Sequence, residues 1–252
     1  MRLSQNFLTD PVVARRVVRV SGVGPGDHVL EVGAGEGMLT RPLAATCGRL
    51  VGYELDPRLA ARLAARFRDR ADVRIVHGDF LAAAPPRGPF AVVSNIPYAI
   101  TSRIVDWCLD APGLTSATLL TQLEYARKRA GGFGRWSRLT VRTWPAFAWS
   151  MAGRVPRDRF HPIPRTDSGI LRLRRRAEPL LPAASMRAYR RLVDLGFTGV
   201  GGSLFASLRR EHPAGTLAAA FRAAGLPKDV VVAHVHPDHW VTLFAVLHGI
   251  DR

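Results

Sequence analysis

His28-Val29-Leu30-Glu31-Val32-Gly33-Ala34-Gly35-Glu36-Gly37 is a short apolar run that passes straight into three alternate glycines. A run of this length and composition reads as a strand. Glycines directly after it let the backbone come close to a ligand at the carboxyl end of a sheet. Outward from this stretch the pattern alternates. Helical spacing over 38–45, 57–67 and 102–109 separates further short apolar runs at 49–53, 73–76 and 90–93, which is the signature of a parallel sheet covered by helices. Upstream, Asp10 and Pro11 open a helix through Val12, Val13, Val17 and Val20 that ends at Gly22. Strands are also expected at 115–120, 139–144 and 169–173, separated by a helix over 122–129 and a proline-rich stretch over 156–164. Past Arg174-Arg175-Arg176 and Pro179 the chain turns to Ala, Leu and Arg in helical spacing, broken at 199–202, at Pro213 and over 227–237. The expected organisation is α/β: a Rossmann-like domain over 1–179 and a small all-helical domain over 180–252.

Acidic residues narrow the ligand of the glycine turn. Glu31 precedes it, Glu36 lies inside it, and Glu54 ends the next strand about 20 residues after Gly33, where a ribose-binding acid belongs. A pyrophosphate beside Glu36 would meet like charge, whereas S-adenosylmethionine carries a sulfonium and an ammonium that carboxylates attract. Asp79, after the third strand in His77-Gly78-Asp79-Phe80, is placed to accept from an adenine amine or to cap a helix. Taken singly each acid reads as a cap or turn residue; their order after successive strands supports an S-adenosylmethionine-dependent methyltransferase domain.

The fourth strand ends in Asn95-Ile96-Pro97-Tyr98. An adenine amine is a poor nucleophile because its lone pair is delocalised into the ring, so an enzyme has to position the nitrogen and favour tetrahedral geometry. The Asn95 side-chain oxygen and the Ile96 carbonyl can accept the two amine protons, Pro97 fixes the backbone between them, and Tyr98 can pack against the base. The plainer alternative is an Asx turn with a buried tyrosine.

Ser4-Gln5-Asn6-Phe7, the run Glu31 to Gly37, Glu54, Asp79, Asn95 to Tyr98 and Phe160-His161-Pro162 together resemble, in order over the first 175 residues, the ribosomal RNA adenine dimethylases. Gln122-Leu123-Glu124, Ala126-Arg127-Lys128-Arg129 and Gly134-Arg135-Trp136-Ser137 look like the Erm branch, which methylates 23S ribosomal RNA. The resemblance implies that Asn6 and Leu8 contact the methionine part of the cofactor and that Gly33, Gly35 and Gly37 form its loop. It implies Glu54 on the ribose, Asp79 on the cofactor adenine, Asn95 and Tyr98 on the target amine, and Phe160 stacked on an extruded target adenine. It also implies resistance to macrolides, lincosamides and streptogramin B. The chain starts three residues before Ser4, so any N-terminal arm that relatives use on RNA is expected to be missing or trimmed. The stretch 197–208 lacks the Gln-Arg-Arg-Lys type of run associated with the small-subunit branch.

Charge agrees with a polyanionic partner. The chain has 36 Lys plus Arg against 20 Asp plus Glu, a net charge of +16, more than solubility asks for. Candidate RNA contacts are Arg127, Lys128 and Arg129, then Arg154, Arg157, Arg159 and Arg165, and Arg172 within the run to Arg176, with Arg187, Arg190 and Arg191 on one helix face. Cys47 and Cys108 form no CxxC pair and read as core. Met1 to Val20 carries Asp10, Arg15, Arg16 and Arg19, so a signal core or membrane span is not expected, and the chain reads as a cytoplasmic monomer. His234-Val235-His236-Pro237-Asp238-His239 imitates a zinc motif, but no further ligand set follows it, so no metal is expected and Pro237-Asp238 reads as the start of the last helix. The competing functions are a small-subunit ribosomal RNA dimethylase, a DNA adenine methyltransferase, and a non-catalytic RNA-binding or transcription factor, the last opposed by an intact Asn95 to Tyr98.

Overall fold

The structure is a computed structural model and describes residues 6–250; Ser4 and Gln5 lie outside the described residues. The chain forms two compact units, one of residues 1–126 with 150–175, the other of residues 127–149 with 176–252.

Among the described residues the first unit is built on β1 (Phe7–Leu8), α1 (Pro11–Ser21), β2 (His28–Val32), α2 (Thr40–Ala44), β3 (Arg49–Glu54), α3 (Pro57–Arg66), β4 (Val73–His77), β5 (Phe90–Asn95), α4 (Thr101–Asp110) and β6 (Leu114–Gln122). After α5 (Leu123–Arg129) and α6 (Arg138–Thr143) come β7 (Phe147–Val155), β8 (Phe160–His161) and β9 (Ser168–Arg175). The main sheet has the order β4-β3-β2-β5-β6-β9-β7. The strands β4, β3, β2, β5 and β6 are mutually parallel, and β9 runs antiparallel to β6.

Local chemistry sets the helix ends. The Asp10 carboxylate accepts from the N–H groups of Val12 (2.7 Å) and Val13 (3.3 Å), Pro11 opens α1, and Gly22 closes it at φ 77°. Asp56 and Pro57 start α3 in the same way. The sheet's central strands, β2 and β5, are buried on both faces and read as nearly continuous apolar runs, interrupted by Glu31 and Ser94.

This order contains a topological switch. From β2 the chain steps outward to β3 and β4, then returns to place β5 on the other side of β2. In open α/β sheets the crevice outside the carboxyl ends of two such strands is where ligands bind. The residues that leave those two ends are Gly33 and Ile96.

Residues 139–144 are not the expected strand. They form α6, with the Ser137 hydroxyl accepting from the Thr140 N–H at 3.3 Å and with Thr140, Val141 and Thr143 buried. The β-branched composition favours a strand locally, but the cap and the burial of one helical face outweigh that preference. The strand comes just after, as β7.

The division of the chain also differs from a single cut after 179, because 127–149 clusters with the C-terminal residues. In that unit α7 (Met186–Gly196), α8 (Leu204–Leu208), α9 (Ala214–Ala223) and α10 (Pro237–His248) follow α6. Trp240, Tyr189, Phe221 and Phe244 are fully buried there. The Tyr189 hydroxyl donates to the Val141 carbonyl at 2.9 Å, which ties α7 to α6. The His234 to His239 stretch caps α10, with His236 Nδ1 accepting from the Asp238 N–H at 3.2 Å. Cys47 and Cys108 are buried and free.

Candidate active site

Two adjoining hollows of about 360 and 300 Å³ open at the switch between β2 and β5. Asn6, Phe7, Gly33, Asn95, Ile96, Pro97 and Tyr98 line one. Leu8, Glu31, the loop Gly33 to Glu36, Met38 and Leu39 line the other, which shares Phe7 and Asn95 with the first. Among these lining residues there is no lysine or arginine, which disfavours a pyrophosphate and suits a cationic ligand.

The glycine loop is braced from beneath. Gly33 and Ala34 donate to the Tyr53 carbonyl at 2.8 and 3.0 Å. Gly35 donates to one oxygen of Glu54 at 2.7 Å, and Asp56 donates to the other at 2.9 Å. Glu54 is only 1% exposed. It therefore shapes the loop as well as standing beside it. Gly35 has φ 55°, and a side chain there would bring its Cβ within 3.1 Å of the Phe7 ring, so this glycine is required both by conformation and by close packing.

Glu31 is 2% exposed and accepts from the Thr40 hydroxyl at 2.7 Å. Burial pushes its pKa up to about 8, opposed by the Thr40 hydrogen bond and assisted by the nearby Glu54 carboxylate. At neutral pH without a counter-cation this carboxyl holds its proton.

Asn95 is oriented from 89 residues away: its Nδ2 donates to the Asn6 carbonyl at 2.9 Å. A carbonyl only accepts, so the amide nitrogen must face Asn6 and the side-chain oxygen is left to accept in the cleft. Ser94, just before it, donates its hydroxyl to the Val32 carbonyl and clamps β5 to β2. The Tyr98 hydroxyl shares a 2.7 Å hydrogen bond with Ser168. Burial pushes the Tyr98 pKa up, with the Ser168 hydrogen bond acting the other way.

Other expected residues are placed differently. Asp79 is exposed and caps a short turn by accepting from the Leu81 N–H at 2.9 Å. Phe160 is 2% exposed and packs in the core with Leu8, Val17, Val155 and Ile170. It acts on the site through the backbone, as β8 pairs antiparallel with β1 in the register Leu8 to Phe160 and Phe7 to His161, rather than as an open stacking face. Glu36 is exposed.

The basic residues are partly committed. Arg154 pairs with Asp167, and Arg159 with Asp10 at 3.1 Å. Arg157 donates to the Arg165 carbonyl at 3.4 Å, while the Arg165 side chain is exposed. Arg172 reaches the Ser21 carbonyl at the end of α1. On α5, Arg129 donates to the Ser137 hydroxyl at 2.8 Å and Lys128 is exposed.

Two residues escape a reading by motif. Leu55, directly after Glu54, is 47% exposed; a large apolar side chain left bare next to a candidate ligand acid is the signal that could have found it. Ser168 is visible only through its partner Tyr98, 70 residues earlier.

The chain as a whole has matches among known proteins. The model of the family described as ribosomal RNA adenine dimethylase matches residues 1–248. The chain belongs to that family. An rRNA adenine N-6-methyltransferase of Streptomyces fradiae is 60% identical over 98% of this chain and 78% of its own length. The mycinamicin-resistance protein MyrB of Micromonospora griseorubida is 38% identical over 98% of this chain and 79% of its own. The crystal structure of the 23S rRNA methyltransferase ErmE superposes with a TM-score of 0.93 at 50% identity, covering 96% of this chain and 99% of that one. Within the ribosomal RNA adenine dimethylase family the chain is thus of the Erm type, and both the α/β sheet and the helical C-terminal part match that structure. No helix among the described residues is long and apolar enough to cross a membrane.

Proposed function

We propose that this chain transfers the methyl group of S-adenosylmethionine to N6 of one adenine in 23S ribosomal RNA, in the cytoplasm, and so confers resistance to macrolides, lincosamides and streptogramin B. The observation that carries the reading is the Asn95 amide, pinned by Asn6 so that its oxygen faces a cleft that no basic residue lines. When bound, S-adenosylmethionine supplies a methyl activated on a sulfonium.

Leu8 and Asn6 border the methionine end, where Glu31 offers a buried carboxyl to positive charge. Glu54 keeps lone pairs beyond those used by Gly35 and Asp56 and takes the ribose hydroxyls. Asp79 and Leu55, both exposed after successive strands, would hold the cofactor's adenine, the carboxylate by accepting from its amine and the leucine by apolar contact. The Asn95 oxygen and the Ile96 carbonyl each accept one proton of the target amine, which turns the nitrogen lone pair out of the ring and towards the methyl carbon. With S-adenosylmethionine bound, the sulfonium would supply the methyl group to the nitrogen that Asn95 and Ile96 hold, and the amine proton released on transfer would pass to solvent. Tyr98, held by Ser168, supports the target ring. Of the expected phosphate contacts Lys128, Arg154, Arg157, Arg159 and Arg165 are exposed, with Arg154 and Arg159 also paired to carboxylates, and the helical unit adds Arg187, Arg190 and Arg191.

The test is transfer of labelled methyl to protein-free large-subunit and small-subunit ribosomal RNA, followed by mapping of the modified base. Label on a single large-subunit adenine is expected. Label confined to small-subunit RNA, or none, would overturn the assignment.

A further inference from the structure

One exposed apolar side chain is held where an unbuttressed one would be free to move. Ile163 is 62% exposed and sits between Pro162 and Pro164, whose rings fix the backbone on both sides. Pro164 is buried. Both ends of its loop lead to the catalytic tetrapeptide. At one end, His161 pairs with Phe7 in the antiparallel ribbon, so the chain continues past that pair towards the side where Asn6 meets Asn95. At the other end, Ser168 bonds the Tyr98 hydroxyl. Asp167 closes the stem: its side chain pairs with Arg154 and accepts from the Arg157 N–H at 2.9 Å, and its carbonyl accepts from the Leu123 N–H at 2.9 Å. The neighbours His161 and Arg165 are exposed and polar.

A single exposed isoleucine is ordinary. A rigid apolar tip amid basic residues, with Ser168 at one end of its loop bonded to Tyr98 and His161 at the other paired with Phe7 beside Asn6, has a particular chemistry. Enzymes that act on a base inside a stack must extrude it, and apolar side chains are the usual wedges between nucleotide steps. We propose that Ile163 is a positioning residue that enters the base stack of the RNA and fills the gap left when the target adenine is drawn to Asn95. Arginine on the same loop meets the flanking phosphates, and the prolines keep the wedge from folding back. The inference rests on the methyltransferase reading above and adds the step that delivers the base.

The experiment uses the full chain, S-adenosylmethionine and two RNA hairpins: one carrying the mapped target adenine, and one identical but with an abasic nucleotide on its 3′ side, so that the adenine has lost a stacking neighbour. Ile163→Ala is expected to lower kcat about tenfold on the first hairpin and to recover to about half the wild-type rate or better on the second, because a base already unstacked costs least to extrude. Ile163→Leu, which keeps the apolar bulk, is expected to stay within about twofold of wild type on both. Equal rates of Ile163→Ala and wild type on the first hairpin would overturn the wedge, as would an equal loss on both. Failure of the wild-type chain on both hairpins would overturn the methyltransferase reading itself and the wedge with it.

Discussion

Raising the pH should weaken the ligand-free protein through one buried carboxyl. Glu31 has an ordinary pKa of 4.5 and is pushed up to about 8 in the folded chain, chiefly by burial. Between those values the folded state keeps a proton that the unfolded state has given up. The folded state therefore binds more protons, and stability falls as pH rises across that window. Each pKa unit corresponds to about 1.4 kcal/mol, so the full loss is roughly 3 to 5 kcal/mol by pH 8.5. Glu31→Gln keeps the shape and an acceptor for Thr40 but removes the titration. Urea unfolding of both proteins at half-unit steps from pH 5 to 8.5 isolates the effect as a difference between two profiles, in which other titrating groups cancel. The two should be similar in stability at pH 5, and the Gln variant should become the more stable as pH rises. Saturating S-adenosylmethionine should flatten the wild-type profile, since its positive charges favour the carboxylate. Parallel profiles in the ligand-free proteins would refute the reasoning.

Asn95→Ala should abolish methyl transfer while leaving S-adenosylmethionine binding within about threefold, as read by calorimetry; normal turnover would remove Asn95 from the proposed role. Gly35→Ala forces a side chain into a left-handed backbone and against the Phe7 ring, at a cost of about 1–3 kcal/mol, and should appear as at least tenfold weaker cofactor binding in the same titration. Arg165→Ala should reduce the slope of log affinity for RNA against log salt by about 0.8, while Arg154→Ala, whose partner is Asp167, should also raise loop mobility by hydrogen exchange; identical behaviour of the two would contradict the division between free and committed arginines.

The frame of the fold is legible because its signals are local. A strand, three glycines and a helix are adjacent in sequence, and alternation from His28 to Leu109 needs no tertiary knowledge to be seen as a parallel sheet. The reading failed where distant residues decide. Leu139 to Trp144 looks like a strand until Ser137 caps it and α7 covers it, and nothing in the window from 139 to 144 reports that Tyr189 will bond the Val141 carbonyl. Residues 127–149 belong with the C-terminal unit because contacts, not composition, define the boundary.

The site shows the same division at the level of atoms. Motif order points to Asn95, Glu54 and Asp79 as candidate site residues, but a motif cannot say which polar atoms are already engaged. Glu54 has one lone pair of each oxygen engaged, one by the Gly35 N–H of the glycine loop and one by the Asp56 N–H, and Asn95 is useful as an acceptor because Asn6 has taken its nitrogen. Phe160 has its position in the ribbon but has lost its ring to the core. What the site can offer a substrate is therefore the remainder after internal hydrogen bonds are assigned. By that count the acceptor in the cleft is the Asn95 oxygen, and the apolar side chain left uncovered on the loop beside it is Ile163.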